Sequence, residues 1–382
     1  MLCLLNDAFQ QVKSWLVSSG LFISEKSDKN CGGVFSFFDE QNKEFGFLYP
    51  EITGYFISTL KFLNHVENDD MYSQYAKYSC DWLIQIYEKY GSIIQGIKLN
   101  SPTSNFSYSF DSAICAKGLL DYYEISKNPY YLDYAKKILS DLRDKSIQPD
   151  GSVMPFKDFT TNQLQESDTV WYKQKGCMHI KTAMPFFQIN QYVDDDFSKT
   201  GNTICNTLPN FQNSDGSIKL HSNSKIINFH TLCYALEGLV YAYSATKNEQ
   251  YLINSEKAVD WGLKQISDDG SIALWFNSEF KSKAAYPIAQ FIRILILIDK
   301  IHRDSRYRKT TEHLFNFLKT FQASNTSSQI NGGFYEEFYK TIFGWKKRLR
   351  LNSWTSMFAL QAIHWYQNYD DIEFENQIKF LY

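Results

Sequence analysis

The 382-residue chain has no run of 18 consecutive apolar residues. Its best stretch, 288–301, is interrupted by Gln290, Arg293, Asp299 and Lys300, so no membrane-spanning helix and no membrane insertion are expected. The opening Met1-Leu2-Cys3-Leu4-Leu5-Asn6-Asp7 has neither a basic segment nor a long apolar one, unlike a secretory signal peptide. Cysteines are few: the seven (3, 31, 80, 115, 177, 205 and 233) are odd in number, scattered, and form no C-x-x-C pair. They read as buried thiols in a reducing compartment rather than as disulfides or a zinc site, which points to the cytoplasm. Cys177-Met178-His179 has no matching second Cys-His pair, so neither a metal nor a cofactor is expected. A net charge of −3 favours neither nucleic acid nor an anionic membrane as a partner.

Aromatic residues are abundant, at 17% with 26 Tyr and 30 Phe, beside 44% hydrophobic and 21% charged residues. Those proportions suit a soluble chain with a large core. Aromatic rings also make platforms for a flat ligand such as a sugar.

One pattern recurs along the chain. Tyr49-Pro50-Glu51-Ile52-Thr53-Gly54-Tyr55 opens an apolar helix. A polar turn follows at Asn68-Asp69-Asp70, then a more charged helix from Tyr72 that runs out at Gly91. The same order returns from Asp111, His179, His230 and Tyr286. The steps from helix opening to turn aromatic are 21, 20, 18, 21 and 21 residues. Glycine landmarks at 33, 91, 151, 216, 270 and 332 give a period of 54 to 65 residues. Such a period predicts a repeat architecture filling one domain over 1–382.

The ends complete the count. The segment 7–19, with Ala8, Val12, Trp15 and Leu16 on one face, leads to Gly32-Gly33 and is a second half-repeat. The segment 352–369 is a first half-repeat. Joined, they give six helical hairpins in a closed ring, with no end repeat to cap. First-half helices are apolar all round, as in Thr231, Leu232, Ala235, Leu236, Gly238 and Leu239, and belong inside. Second-half helices carry one charged face and belong outside. Little strand is expected beyond the glycine loops.

The motifs Tyr49–Tyr55 (Y-P-E-x-T-G-Y), Phe110–Ala113 (F-D-S-A) and His230–Leu239 (H-T-x-x-Y-x-x-E-G-L) carry a resemblance over nearly the whole chain. It is to proteins of polysaccharide-biosynthesis clusters, where the segments read roughly Y-P-E-V-T-G-Y, F-D-T-G and H-T-I-A-Y. They fall within the six-hairpin glycosidase superfamily. The resemblance implies an all-α (α/α)6 toroid and activity on a polysaccharide or oligosaccharide. This chain has Lys181 where that family tends to have Arg, and Asn352-Ser353-Trp354 where it has Asn-Trp.

Glu51, Asp111, His179, His230, Tyr286 and Asn352 stand at or beside the starts of inner helices, and in a ring those starts share one rim. Helix N-termini also favour anionic ligands. Glu51, Asp111, His230, His179 and Tyr286 are therefore the catalytic candidates. Tyr49, Tyr55, Lys181, Asn352 and Trp354 are the candidate substrate contacts. Glu51 and Asp111 can equally serve as helix-start carboxylates. As a pair they suit glycoside hydrolysis. Tyr286 and the histidines suit proton abstraction beside a uronate carboxylate, leading to elimination or epimerisation. Lys181 and the basic run Lys346-Lys347-Arg348-Leu349-Arg350 suggest an acidic polysaccharide. A glycan-binding toroid without catalysis and a terpenoid-cyclase-like enzyme are the other readings. Asp194-Asp195-Asp196 occupies the slot of a polar hairpin turn.

Overall fold

A computed structural model describes residues 2–382, with side chains described from Asp7 onward, so the Cys3 thiol lies outside the described residues. The helices are α1 (Leu2–Ser18), α2 (Pro50–Glu67), α3 (Asp70–Tyr90), α4 (Ser109–Ser126), α5 (Pro129–Asp141), α6 (Ala183–Ile189), α7 (Phe197–Cys205), α8 (Phe229–Thr246), α9 (Glu249–Leu263), α10 (Ala285–His302), α11 (Arg308–Leu318), α12 (Ser353–Gln367) and the single-turn α13 (Phe374–Gln377). The inner ring runs α2, α4, α6, α8, α10, α12 and back to α2. Each inner helix is backed by its outer partner, and α1 packs on α12. The fold is the (α/α)6 toroid, closed by the two half-repeats.

Local chemistry sets the helix limits. Pro50 opens α2, where a missing N–H costs nothing, and Asn68 ends it in the left-handed conformation. The third inner helix is the irregular one: Cys177–Thr182 is a 3-10 turn that leads into the short α6. Pro185 lies inside α6 and removes a donor from the ladder. The short spacing of 18 residues in this repeat is its trace in the sequence. Asp196 caps α7 through the Lys199 N–H, and Asp195 pairs with Arg143, so the triple-aspartate run is a turn.

Glycine decides how closely the elements approach. A Cβ on Gly118 of α4 would sit 2.7 Å from the Gly54 carbonyl of α2. In the glycine loops the φ is positive and the turn lies on the next outer helix. A Cβ on Gly216 would fall 2.0 Å from the Lys257 carbonyl of α9, and one on Gly332 would fall 2.2 Å from the Gln11 carbonyl of α1. The last loop thus seats on the first helix as an ordinary repeat would. Strands close the same seam, because Phe37–Asp39 pairs antiparallel with Arg350–Asn352.

The far end of the barrel is plugged by residues 374–382. Lys61 Nζ donates to the Lys379 carbonyl at 3.3 Å, Gln361 Nε2 to Phe380 at 2.7 Å and Arg293 Nη1 to Tyr382 at 3.2 Å. The Tyr382 ring is fully buried and its hydroxyl donates to the Met357 carbonyl. Above the plug lies a layer of buried charge. Glu237 accepts from Lys181 Nζ at 2.6 Å, from Arg293 and from Gln290 Nε2 at 3.0 Å. All four side chains are shut off from solvent.

Two stability predictions follow from this packing. Glu237→Gln leaves Lys181 and Arg293 buried without their counter-charge and is expected to lower unfolding free energy by about 3–5 kcal/mol. Gly118→Ala is expected to cost about 1–3 kcal/mol through overpacking, although alanine is the better helix former by roughly 1 kcal/mol. Urea denaturation measures both, and a stabilised Gly118→Ala variant contradicts the close α2–α4 approach.

Candidate active site

The inner-helix starts surround a cavity of about 340 Å³ at the mouth of the barrel. Its charged lining consists of Glu51, Asp111 and Glu336, and its walls are aromatic, with Phe47, Tyr108, Phe110, Trp171, Tyr172 and Trp354. Tyr49, His230, Tyr234 and Tyr286 add polar edges.

Four inner helices separate capping from the site. Asn228 and Asn352 cap α8 and α12, each side chain accepting from the backbone N–H three residues on, at Thr231 and Thr355. The residues in that place before α2 and α4 are Tyr49 and Tyr108, and neither side chain makes a cap bond. Glu51 and Asp111 sit in the first turns of these uncapped helices, almost fully buried. Asp111 Oδ2 has no hydrogen-bond partner in the structure. Asp111 is held by its own backbone N–H, yet its Oδ2 stays free, and both carboxyls line the cavity.

Their acidity follows from that position. Burial pushes Glu51 up to about 7, against the opposing pull of the Tyr49 phenol and the Lys181 charge. Burial also drives Asp111 well above the ordinary carboxyl range, and the nearby Glu51 charge drives it further. The Tyr49 phenol is a polar neighbour of both. Two like charges this close cannot both ionise cheaply, so the pair holds a proton near neutrality. Glu336 is raised to about 7 by burial and by Glu337, with Arg348 opposing.

His230 is held by a chain of polar contacts. Glu237 can only accept, so it draws the Gln290 amide N–H, which turns Gln290 Oε1 toward His230 Nδ1 at 2.6 Å. That assignment puts the imidazole proton on Nδ1 and leaves Nε2 as the lone-pair nitrogen of a ring lining the cavity. Burial drops the His230 pKa to about 3, so the ring is neutral. It packs against Tyr234 and Tyr286, with centroids 4.1 and 4.5 Å away.

Of the sequence candidates, Glu51, Asp111, His230, Tyr286, Tyr49 and Trp354 line this cavity. Four others are placed elsewhere. Lys181 lies below the mouth, fully buried against Glu237, with its ammonium over the Tyr234 and Tyr55 rings. Tyr55 is core, edge-on to Phe358. His179 bonds through Nε2 to the Gln174 carbonyl and is pushed down to about 4 by burial. Asn352 caps its own helix through Oδ1, and its Nδ2 is buried without a hydrogen-bond partner. Arg348 of the basic run pairs with Glu337 at 2.8 Å. Lys181 and Arg348 are thus both engaged in ion pairs. Sequence reading missed Glu336, Tyr234, Trp171 and Tyr172. Glu336 was within reach, four residues beyond Gly332 in the fifth glycine loop.

No group of three or more His, Cys, Asp or Glu side chains among the described residues is arranged to hold a metal ion. Likewise, among the described residues no helix is long and apolar enough to cross a membrane.

No protein-family model matches this sequence, and none of the curated proteins matches it. Solved structures do match in shape. A cellobiose 2-epimerase from Bacillus thermoamylovorans B4167 superposes with a TM-score of 0.78 at 13% identity, over 95% of this chain and 100% of that one. A D-mannose isomerase gives 0.74 at 12% identity, over 96% and 97%. An unsaturated glucuronyl hydrolase specific for heparin gives 0.71 at 12% identity, over 97% and 99%. At such identities the likeness is one of fold, and one fold hosts several chemistries.

The buried acids carry a stability signature. The folded chain holds the Glu51 proton more tightly than the unfolded chain, so stability falls as pH rises from the ordinary carboxyl range through 7. Between pH 5 and pH 8 the Glu51→Gln variant is expected to lose about 1–3 kcal/mol less than the wild type. Urea unfolding at the two pH values measures this, and parallel losses in both proteins would count against a buried, protonated Glu51.

Proposed function

We propose that this chain, built on the six-hairpin toroid shared with the sugar epimerase, sugar isomerase and glucuronyl hydrolase above, is a carbohydrate-active enzyme that hydrolyses a glycosidic bond. One observation carries the reading: Glu51 and Asp111 are adjacent buried carboxyls that face the cavity, form no ion pair among the described residues and share a raised pKa. Buried polar groups without partners are costly, and functional sites are where such costs are retained.

In this mechanism the protonated member of the pair donates to the glycosidic oxygen as the bond breaks. The ionised member then stabilises positive charge at the anomeric carbon or takes a proton from the attacking water. Tyr49 lies between them and steadies whichever carboxyl is ionised. The aromatic walls hold the faces of the sugar ring and keep water low, which sustains the raised pKa values. The charged layer of Lys181, Glu237 and Arg293 closes the cavity below. A closed floor suits the end of a glycan chain rather than its middle.

The cavity lining also bears on substrate charge. It offers three carboxyls and no lysine or arginine among the described residues. A uronate would meet repulsion there, so the substrate is a neutral or amino sugar. A polysaccharide-biosynthesis setting remains what the sequence resemblance implies.

A second reading has one specific support. His230 presents an unprotonated Nε2, oriented through Gln290 and Glu237, and such a base can abstract a proton beside a sugar carbonyl. Epimerisation or isomerisation would then replace hydrolysis.

Product analysis on neutral oligosaccharides and their uronate counterparts separates these readings. Glu51→Gln and Asp111→Asn are each expected to lower kcat by roughly 10²–10⁴-fold, with melting and ligand binding retained. Wild-type turnover is expected to decline as pH rises through about 7, where Glu51 gives up its proton. Full turnover in both carboxyl variants, with loss in His230→Gln, transfers the reaction to the histidine.

A further inference from the structure

Beside the mouth, a feature that the proposed chemistry does not use stands out from the surface. Glu337–Thr341 and Gly344–Lys347 form an antiparallel hairpin whose turn exposes Ile342 and Phe343, each 93% accessible. Ser282–Ala284 pairs with the first of these strands, and Lys340 N–H donates to the Lys281 carbonyl at 2.9 Å. That register brings Phe280, 72% accessible, to the same end of the sheet as the turn. Half-exposed Trp345 follows, with the Lys283 and Lys340 ammonium groups 5.2 and 5.4 Å from its ring.

Beyond Glu337, charge on the hairpin itself is of one sign, and Glu279 is the acidic residue beside Phe280 in the sequence. From 338 to 352 the sequence has Lys340, Lys346, Lys347, Arg348 and Arg350 and no acidic residue, in a chain whose net charge is −3. Lys340, Lys346 and Lys347 form no ion pair among the described residues, although carboxylates are plentiful elsewhere. Large apolar side chains at full exposure need a partner to cover them.

We propose that this hairpin tip, with Phe280, docks the chain on an anionic lipid bilayer surface. Aliphatic and aromatic side chains enter the boundary between headgroups and acyl chains, a tryptophan sits at headgroup level, and flanking lysines meet anionic headgroups. A glycan explains the tip less well, because Ile342 offers a sugar neither a flat face nor a hydrogen bond. A second copy of the chain would bring the same unpaired lysines against one another. Docking in this way also sets the orientation of the cavity. Glu336, which lines it, is the residue before the hairpin's first strand, so the mouth opens beside the lipid surface. On the carbohydrate reading proposed above, the substrate sugar is then one carried on a lipid.

Vesicle binding tests the docking without reference to turnover. The full chain is sedimented with vesicles of phosphatidylcholine alone and with vesicles rich in phosphatidylglycerol. Binding is expected to the anionic vesicles, to weaken as salt is raised, and to fall roughly tenfold or more in Ile342→Ser/Phe343→Ser and in Lys346→Glu/Lys347→Glu. A blue shift in tryptophan emission on binding is expected to vanish in Trp345→Phe. Circular dichroism checks that the variants fold. The proposal is overturned if the chain ignores both vesicles, or if the variants bind as well as the wild type. It is equally overturned if the tip instead mediates a dimer that Ile342→Ser/Phe343→Ser dissolves, or retains only an acidic polysaccharide. Loss of turnover in Glu51→Gln with vesicle binding intact keeps the two proposals apart.

Discussion

A ring of six inner helices leaves a space along its axis, and how that space is filled constrains everything else. Apolar side chains alone would make a solid core with no site. This chain divides the axis into three levels. The tail 374–382 closes the lower end, the Lys181–Glu237–Arg293 layer spans the middle, and the upper end is left as the cavity. The middle level is held by one carboxylate, Glu237, which receives both cations and the Gln290 amide. Buried ions are tolerable only when nearly every lone pair and proton finds a partner. That requirement ties α6's entry turn, α8, α10 and α12 together at one height in the barrel.

The same layer reaches the chemistry above it. Gln290 touches Glu237 on one side and His230 on the other, so the tautomer of a cavity residue is set from the barrel interior. Lys181 pulls against the raised pKa of Glu51 from below. The acid pair in the mouth and the ion pairs beneath it therefore form one electrostatic column. Burial acts on the two ends differently: the lower charges sit in ion pairs with Glu237, while the upper carboxyls have no ion-pair partner among the described residues and hold protons.

The ring, its inner and outer layers and the meeting of the two half-repeats were legible in the sequence, because helical period, turn chemistry and glycine spacing are local signals. Glu51, Asp111, His230 and Tyr286 share one repeat position at the inner-helix starts, and that shared position was the argument for them. Where a candidate side chain lies away from the cavity, the reason is its direction. Lys181 stands two residues after His179, but the 3-10 turn there aims it down the axis. Asn352 occupies the repeat position and uses it for its own helix. Glu336 was missed because it enters from a loop after an outer helix rather than from an inner-helix start. The plug at 374–382 was invisible because it lies beyond the last repeat, where periodicity says nothing.

The seam between α1 and α12 is built from the same contacts as every other joint in the ring, yet it differs from them in one respect. Trp15 donates to the Gln329 carbonyl, and Gln322 donates to the Ala8 carbonyl, each across 314 residues of sequence. The other joints join neighbours in the chain and can assemble as the polypeptide lengthens, each hairpin on the one before. The closing joint must await nearly the whole chain and bears the largest loop-closure entropy. Before it forms, the inner faces of α2 and α12 are two apolar edges of an open arc. The ring is therefore closed by its most non-local joint, whose contacts span 314 residues while the other joints link consecutive hairpins.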